Sequence, residues 1–362
     1  VRLLSQQSII LGTVLSVMYA LFLILSIVSS LFLIPINYAL ITVWYHKQKP
    51  LDISGQRPIV VQNNEIHFNT KLIKRALIIS FIVIFGLNLS NFVSISKKRA
   101  YSEYFNSQEV IAHRGASYNA PENTISAFQA ALDEGVDAIE FDVRETLDKV
   151  PIIMHDSTTS RTTNDINNSS ISETTYSYLA SLDAGSYFSL EFRGEKIPTL
   201  EETLDLLKDQ VRVFVELKTS SITLERNTLA LLDVKNMLDD AVIMSFNIDQ
   251  LKRIKMNYPN VKTMLLIPIF YGSIDPILSE TFIDYYGLSY QMILNYPQYI
   301  DYAHQKEKSV YAWTVNSKAS ITKVVQSDVD GIITDKPVLA QEITAAKNLP
   351  SFFEEILKRF NR

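Results

Sequence analysis

From residue 109 onward the hydrophobic period keeps switching, short apolar runs of strand length alternating with amphipathic stretches of helical period. That pattern restricts the chain to very few folds. The strand-like runs are Glu109 to Ala112, Ala138 to Val143, Val150 to Met154, Arg212 to Leu217, Val242 to Ser245, Thr263 to Ile267, Tyr285 to Leu288, Ser309 to Thr314 and Gly331 to Thr334. Helical patterns separate most of them. The best marked is Thr124 to Glu134, with Asn123 expected as N-cap and Ile125, Phe128, Ala131 and Leu132 on one apolar face. Roughly eight strands alternating with helices over about 240 residues predict an α/β fold, a closed (β/α)8 TIM barrel, with an open doubly wound sheet as the alternative. The stretch Thr158 to Thr175, rich in Ser, Thr and Asn, breaks the alternation and is expected to be a small insertion or lid-like loop after the second strand.

The residues ahead of this region follow another rule. Ile9 to Trp44 is almost uninterruptedly apolar, carries no Asp, Glu, Lys or Arg, and exceeds the roughly 20 residues that cross a bilayer core. One transmembrane helix is expected at about 8–32, with Pro35 and Asn37 marking a kink or break before Trp44 and Tyr45 reach an interface. A second span is expected at about 76–95, where the run Ala76 to Val93 is bounded by Lys71, Lys74 and Arg75 and by Lys97, Lys98 and Arg99. A cleaved signal peptide competes, but its apolar core is only about 7–15 residues long and the second run is internal. A buried helical hairpin is the remaining alternative.

The expected organisation is therefore a transmembrane region over 1–100, a barrel over 108–349 and an amphipathic tail over 350–362. In the tail, Phe352, Phe353, Ile356, Leu357 and Phe360 share one side, expected to pack on the barrel, with membrane contact as the second reading. The loop between the spans holds His46, Lys47, Lys49, Arg57, Lys71, Lys74 and Arg75, a bias that puts it in the cytoplasm. Two crossings then set the barrel outside the cell, on an integral protein of the cell membrane. The chain opens with Val1, has no methionine before Met18 and enters a span almost at once. That is expected of a membrane domain with an upstream portion missing, or of an alternative start codon.

Composition removes several classes of chemistry. A net charge of −5 supplies no global basic field, so nucleic acid is not an expected partner. The absence of cysteine excludes disulfides, thiolate metal sites and a cysteine nucleophile, and leaves oxygen and imidazole as side-chain metal ligands.

The chemistry gathers between Val110 and Asp156. Glu140 and Asp142 lie two apart on a strand and so face the same side, while Phe141 faces packing. Glu216 and Lys218 repeat that spacing at the end of another strand. Carboxylates brought together repel by about 4 kcal/mol per pair at ~4 Å and an effective dielectric near 20, a penalty that a divalent cation removes. Glu140, Asp142 and Glu216 are thus candidate ligands for one hard ion, Mg²⁺ or Ca²⁺, with Mn²⁺ as a further option. His113 and His155 should reach the C-terminal rim of a barrel, one as proton acceptor and the other as donor. Arg114 and Lys218 would neutralise charge on phosphoryl oxygens. Glu122 either helps to start the first helix or contacts the site, and Asp156 is expected to cap the loop that follows it. His46, His67 and His304 are given no task.

These strings resemble the glycerophosphodiester phosphodiesterase family. The matching segments are AHRGASYNAPENTISAF from Ala112, IEFDVRETLDKVPIIMHD from Ile139, RTTN from Arg161, IPTLEETL from Ile197, VELK from Val215, AWTVN from Ala312 and DGIITDKP from Asp330. They run from about Glu109 to Leu349, nearly two thirds of the chain. The resemblance implies a TIM barrel with a small insertion after the His-Asp motif. It also implies Glu140, Asp142 and Glu216 as metal ligands, His113 and His155 as acid and base, Arg114 and Lys218 as phosphate contacts, and Trp313 in the substrate pocket. The implied reaction has two steps. A glycerol hydroxyl attacks phosphorus, and water then opens the cyclic phosphate, giving glycerol 3-phosphate and an alcohol. A membrane segment ahead of such a barrel resembles the membrane-domain branch of the family in Gram-positive bacteria, where that segment is longer.

Expected substrates are soluble glycerophosphodiesters from lipids or glycerol-phosphate polymers of the envelope. Two other readings compete: a phospholipase-type enzyme acting on intact lipid, and a catalytically silent binding or sensory module. Oligomeric state is left open by the sequence.

Overall fold

The computed structural model describes residues 108–268 and 275–347. Both expected membrane spans, the loop between them with His46 and His67, and the amphipathic tail lie outside the described residues. Among the described residues no helix is long and apolar enough to cross a membrane.

Nine strands are described: β1 (Glu109–Ala112), β2 (Ala138–Glu145), β3 (Pro151–Ile153), β4 (Arg212–Leu217), β5 (Ala241–Ser245), β6 (Lys262–Ile267), β7 (Tyr285–Ser289), β8 (Ser309–Trp313) and β9 (Gly331–Thr334). All but β3 run parallel, and β1 pairs with both β9 and β2, which closes an eight-stranded barrel. Closure disposes of the open doubly wound alternative. The run around Val150 to Met154 is not a barrel strand; β3 folds back antiparallel on β2, with Val143 opposite Ile153.

Alternation along the strands creates two cores. Residues such as Val110, Ile139, Phe141, Val213, Val215 and Ile243 face outward into the layer shared with the helices. Their neighbours Ile111, Ala138, Phe214, Val242, Met264, Tyr311 and Ile333 fill the barrel itself. At the N-terminal end the interior is closed by polar pairing: Arg212 Nη1 lies 2.6 Å from Glu109 Oε1, and the Tyr311 hydroxyl donates to Glu109 Oε2 at 3.0 Å. The opposite, C-terminal end carries the βα loops, the end at which barrels of this kind place their sites.

Gly331 shows how tightly the interior is filled. A Cβ added there would stand 2.5 Å from the Tyr311 ring, which is itself packed against Phe214 and Tyr285 at centroid distances of 5.4 Å each. The ring has nowhere to move. Gly331→Ala is expected to destabilise the barrel by about 1–3 kcal/mol, read as a lowered midpoint in urea unfolding; an unchanged midpoint would contradict this packing.

The helix expected at Thr124 to Glu134 runs Ile125–Asp133, and its N-cap is Thr124, whose side chain accepts from the Ala127 N–H. Asn123 is not the cap. Its φ of 59° is left-handed, and its side chain is engaged by Asp142. The insertion between β3 and β4 is more than a polar loop, because it carries a small core of its own formed by Ile152, Met154, Ile171, Leu179, Leu182, Ala184 and Ile197. Two aspartates organise its turns. Asp165 accepts from Thr159 and from the Asn167 and Ser169 N–H groups, and Asp183 accepts from the Gly185, Ser186 and Gly194 N–H groups.

Candidate active site

In the parallel register of β2 and β4, Asp142 stands directly opposite Glu216. Glu140 lies two residues before Asp142 on the same inward face. All three are buried, and each offers an oxygen within 4.8 Å of the others. Two of their oxygens are buried without a hydrogen bond: Glu140 Oε1, and Asp142 Oδ1, which has the Lys218 ammonium at 3.4 Å. Burial, with the Asp142 charge behind it, pushes the Glu140 carboxyl up to about 8. Burial and Asp142 also raise Glu216. At Asp142 burial acts the same way, but the Arg114 guanidinium and then Lys218 outweigh it and hold the group below its usual range. Such a cluster holds either a proton or a cation. Uncommitted carboxylate oxygens converging in this way fit a hard divalent ion.

Two imidazoles flank the cluster. His113 follows β1, with Nδ1 2.6 Å from Asp335 Oδ1 and Nε2 3.9 Å from Glu140 Oε2. His155 arrives by a different route from that expected of a barrel strand. The antiparallel return of β3 brings it back beside β2, where the Met154 N–H donates to the Asp142 carbonyl at 2.9 Å. Its Nδ1 lies 2.7 Å from Asp156 Oδ1. Both aspartates are held below the ordinary carboxylate range, Asp335 against burial by its bond to His113 and Asp156 by Arg161. A carboxylate only accepts, so each imidazole carries its proton on Nδ1 and keeps Nε2 for chemistry. Burial lowers the pKa of His155. Burial also acts downward on His113, but the Asp335 bond and Glu140 outweigh it and raise that group.

The cationic residues meet the same carboxylates. Arg114 Nη1 is 2.8 Å from Glu122 Oε1 and Nε is 3.2 Å from Asp142 Oδ2, while the Arg114 N–H donates to Glu140 Oε2 at 2.9 Å. The turn that aims this N–H has φ of 57° at Arg114 and 79° at Gly115. Gly115 is also pressed on the following helix, where a Cβ would come 2.7 Å from the Ala127 carbonyl carbon. No other residue suits both conditions. Lys218 Nζ lies 2.6 Å from Glu216 Oε1 and 3.4 Å from Asp142 Oδ1. Trp313 ends β8 at the C-terminal end of the barrel and packs edge-on against the half-exposed Phe246 at 5.6 Å.

All eight residues singled out from the sequence therefore lie around one barrel mouth. Others join them. Asn123 donates to Asp142 Oδ2 at 2.8 Å, and Glu122 pairs with Arg114 and Arg161. Asp156, expected as a loop cap, is instead bonded to His155 and Arg161. Arg144 donates twice to the His155 carbonyl, from Nε at 2.8 Å and Nη2 at 2.6 Å. Strand alternation carried the signal for two of the missed groups: Arg144 continues the inward series of Glu140 and Asp142, and Asp335 continues that of Ile333. The same alternation marks Phe246, which continues the inward series of Val242 and Met244.

The family model of the glycerophosphoryl diester phosphodiesterase family matches residues 113–339. A glycerophosphodiester phosphodiesterase of Caldanaerobacter subterraneus subsp. tengcongensis is 34% identical over 232 residues, spanning 63% of this chain and 94% of that protein. One from Bacillus subtilis is 28% identical over 253 residues, spanning 64% and 85%. Among solved structures, an Oleispira antarctica phosphodiesterase in complex with the product sn-glycerol-3-phosphate superposes with a TM-score of 0.61 at 26% identity, covering 67% of this chain and 98% of that one. The matched segment takes in more than half of the chain and every group of the mouth described above, so the chain belongs to the glycerophosphoryl diester phosphodiesterase family.

Proposed function

We propose that this chain is a metal-dependent glycerophosphodiester phosphodiesterase that releases glycerol 3-phosphate and an alcohol. The observation that carries the reading is the buried Glu140, Asp142 and Glu216 cluster, with undonated oxygens, set between two carboxylate-held imidazoles. The three carboxylates would hold one ion, Mg²⁺, Ca²⁺ or Mn²⁺, which when bound supplies Lewis-acid polarisation of a phosphoryl oxygen.

The chain's own groups account for the proton transfers and the charge. One imidazole takes the proton of the substrate's neighbouring glycerol hydroxyl at Nε2 as that oxygen attacks phosphorus. The other enters the step as an imidazolium with a second proton on Nε2, and gives that proton to the departing alcohol oxygen as the phosphorus–oxygen bond breaks. Water then opens the cyclic phosphate with the two roles exchanged, returning both imidazoles to their starting states. Arg114 and Lys218 would neutralise the phosphoryl oxygens, and Trp313 with Phe246 would line the pocket.

The expected anchor at 8–32 and 76–95 favours diesters found at the cell surface, derived from lipid or from glycerol-phosphate polymers, with the barrel outside an integral membrane protein. The test is glycerol 3-phosphate release from a panel of soluble glycerophosphodiesters, teichoic-acid fragments and intact phospholipids, with each ion in turn. Release from at least one soluble diester or polymer is expected. Failure on all of them would sink the reading, and faster head-group release from intact lipid would move it to a phospholipase.

A further inference from the structure

We propose that Arg161, in the insertion, is a positioning residue for the reaction, setting His155 through Asp156 and tying that imidazole through Glu122 to the carboxylate cluster. The proposal rests on the phosphodiesterase reading above.

A single guanidinium holds two carboxylates here. Arg161 Nε is 2.6 Å from Asp156 Oδ2 and Nη2 is 3.0 Å from Asp156 Oδ1. Its Nη1 is 2.7 Å from Glu122 Oε2, and Nη2 is 2.7 Å from Glu122 Oε1. Each carboxylate is the start of a chain of contacts into the mouth. Asp156 Oδ1 lies 2.7 Å from His155 Nδ1, the bond that fixes which nitrogen of that ring faces the reaction. Glu122 Oε1 lies 2.8 Å from Arg114 Nη1, and Arg114 Nε lies 3.2 Å from Asp142 Oδ2. The two chains meet on Arg161. Without it, Asp156 keeps among the described residues only its hydrogen bond to His155, and the imidazole is left to swing with the carboxylate.

The fold does not need this contact. Arg161 is 45% exposed, and pairs at such exposure add little to stability. The insertion is secured independently by its own apolar core, and Glu195 Oε2 accepts from Ser126 Oγ at 2.6 Å. Loss of Arg161 should therefore appear in turnover. Lysine is no substitute, since one ammonium cannot bond two carboxylates in a planar fork.

The experiment compares the full chain with R161A and R161K on glycerophosphocholine and the other soluble diesters, with divalent ion supplied. R161A should lose ~10- to 100-fold in kcat, the scale of a catalytic group displaced by about an ångström. KM should change by less than about threefold, and Tm by no more than ~2–4 °C. Millimolar guanidinium should recover part of the R161A rate without accelerating the unaltered chain, and R161K should stay low. A rate for R161A within about twofold of the unaltered chain, or a loss that guanidinium leaves untouched, overturns the proposal while the phosphodiesterase reading stands. No turnover of any diester by the unaltered chain overturns both.

Discussion

Alanine at His155 or His113 is expected to lower kcat for a glycerophosphodiester by ~10²–10⁴-fold, the range for loss of a positioned general acid or base. That corresponds to about 2.7–5.4 kcal/mol of transition-state stabilisation. The expectation follows from geometry. Each ring is held at Nδ1 by an aspartate that can only accept, at 2.6 and 2.7 Å, so each presents Nε2 in a fixed role. Both rings are partly exposed, with 17% and 32% of their side chains reached by solvent, so neither truncation leaves a large cavity. The double variant should be little worse than either single one, since two groups moving protons in one reaction act as a unit. Initial rates of glycerol 3-phosphate release decide the matter. A single variant within about threefold of the unaltered chain would remove that imidazole from the proposed mechanism.

The second large effect concerns Glu140. Burial and Asp142 raise its carboxyl from 4.5 to about 8 when no ion is present. Between those values the folded chain binds more protons than the unfolded one, so in chelator its stability falls as pH rises from about 4.5 through about 8. Divalent ion should reverse that fall by stabilising the ionised cluster. Glu140→Gln keeps the volume and removes the charge. It should flatten the pH slope measured in chelator and weaken ion affinity by at least the 10–100-fold that loss of an outer-sphere partner costs. Turnover should fall with it. Unfolding curves across this pH range, with and without ion, would expose the error if Glu140→Gln kept both the slope and the ion-induced shift.

The barrel was legible because its signal is local. Alternation of period two marks Val213, Val215 and Leu217 as one face of β4 and Phe214 and Glu216 as the other, and the two cores divide them accordingly. The i, i+2 spacing of Glu140 and Asp142 worked for the same reason. Asn123 was misread because a good capping residue type is also a good donor, and its tertiary bond to Asp142 settled the competition. Thr124 took the cap instead. The path of His155 was hidden because a short apolar run such as Val150 to Met154 does not tell whether it continues a barrel or turns back on its neighbour. Arg161 was visible only as part of a motif string. Its partners Asp156 and Glu122 lie 5 and 39 residues away in sequence, and only the fold brings the three together.

The most direct test is release of glycerol 3-phosphate by the full chain before chelation, after chelation, and after Mg²⁺, Ca²⁺ or Mn²⁺ is returned. The account predicts that release stops in chelator, resumes with at least one of these ions, and does not resume when Glu140, Asp142 or Glu216 has been replaced by alanine. Undiminished release in chelator, or full ion-restored activity in those variants, would contradict it.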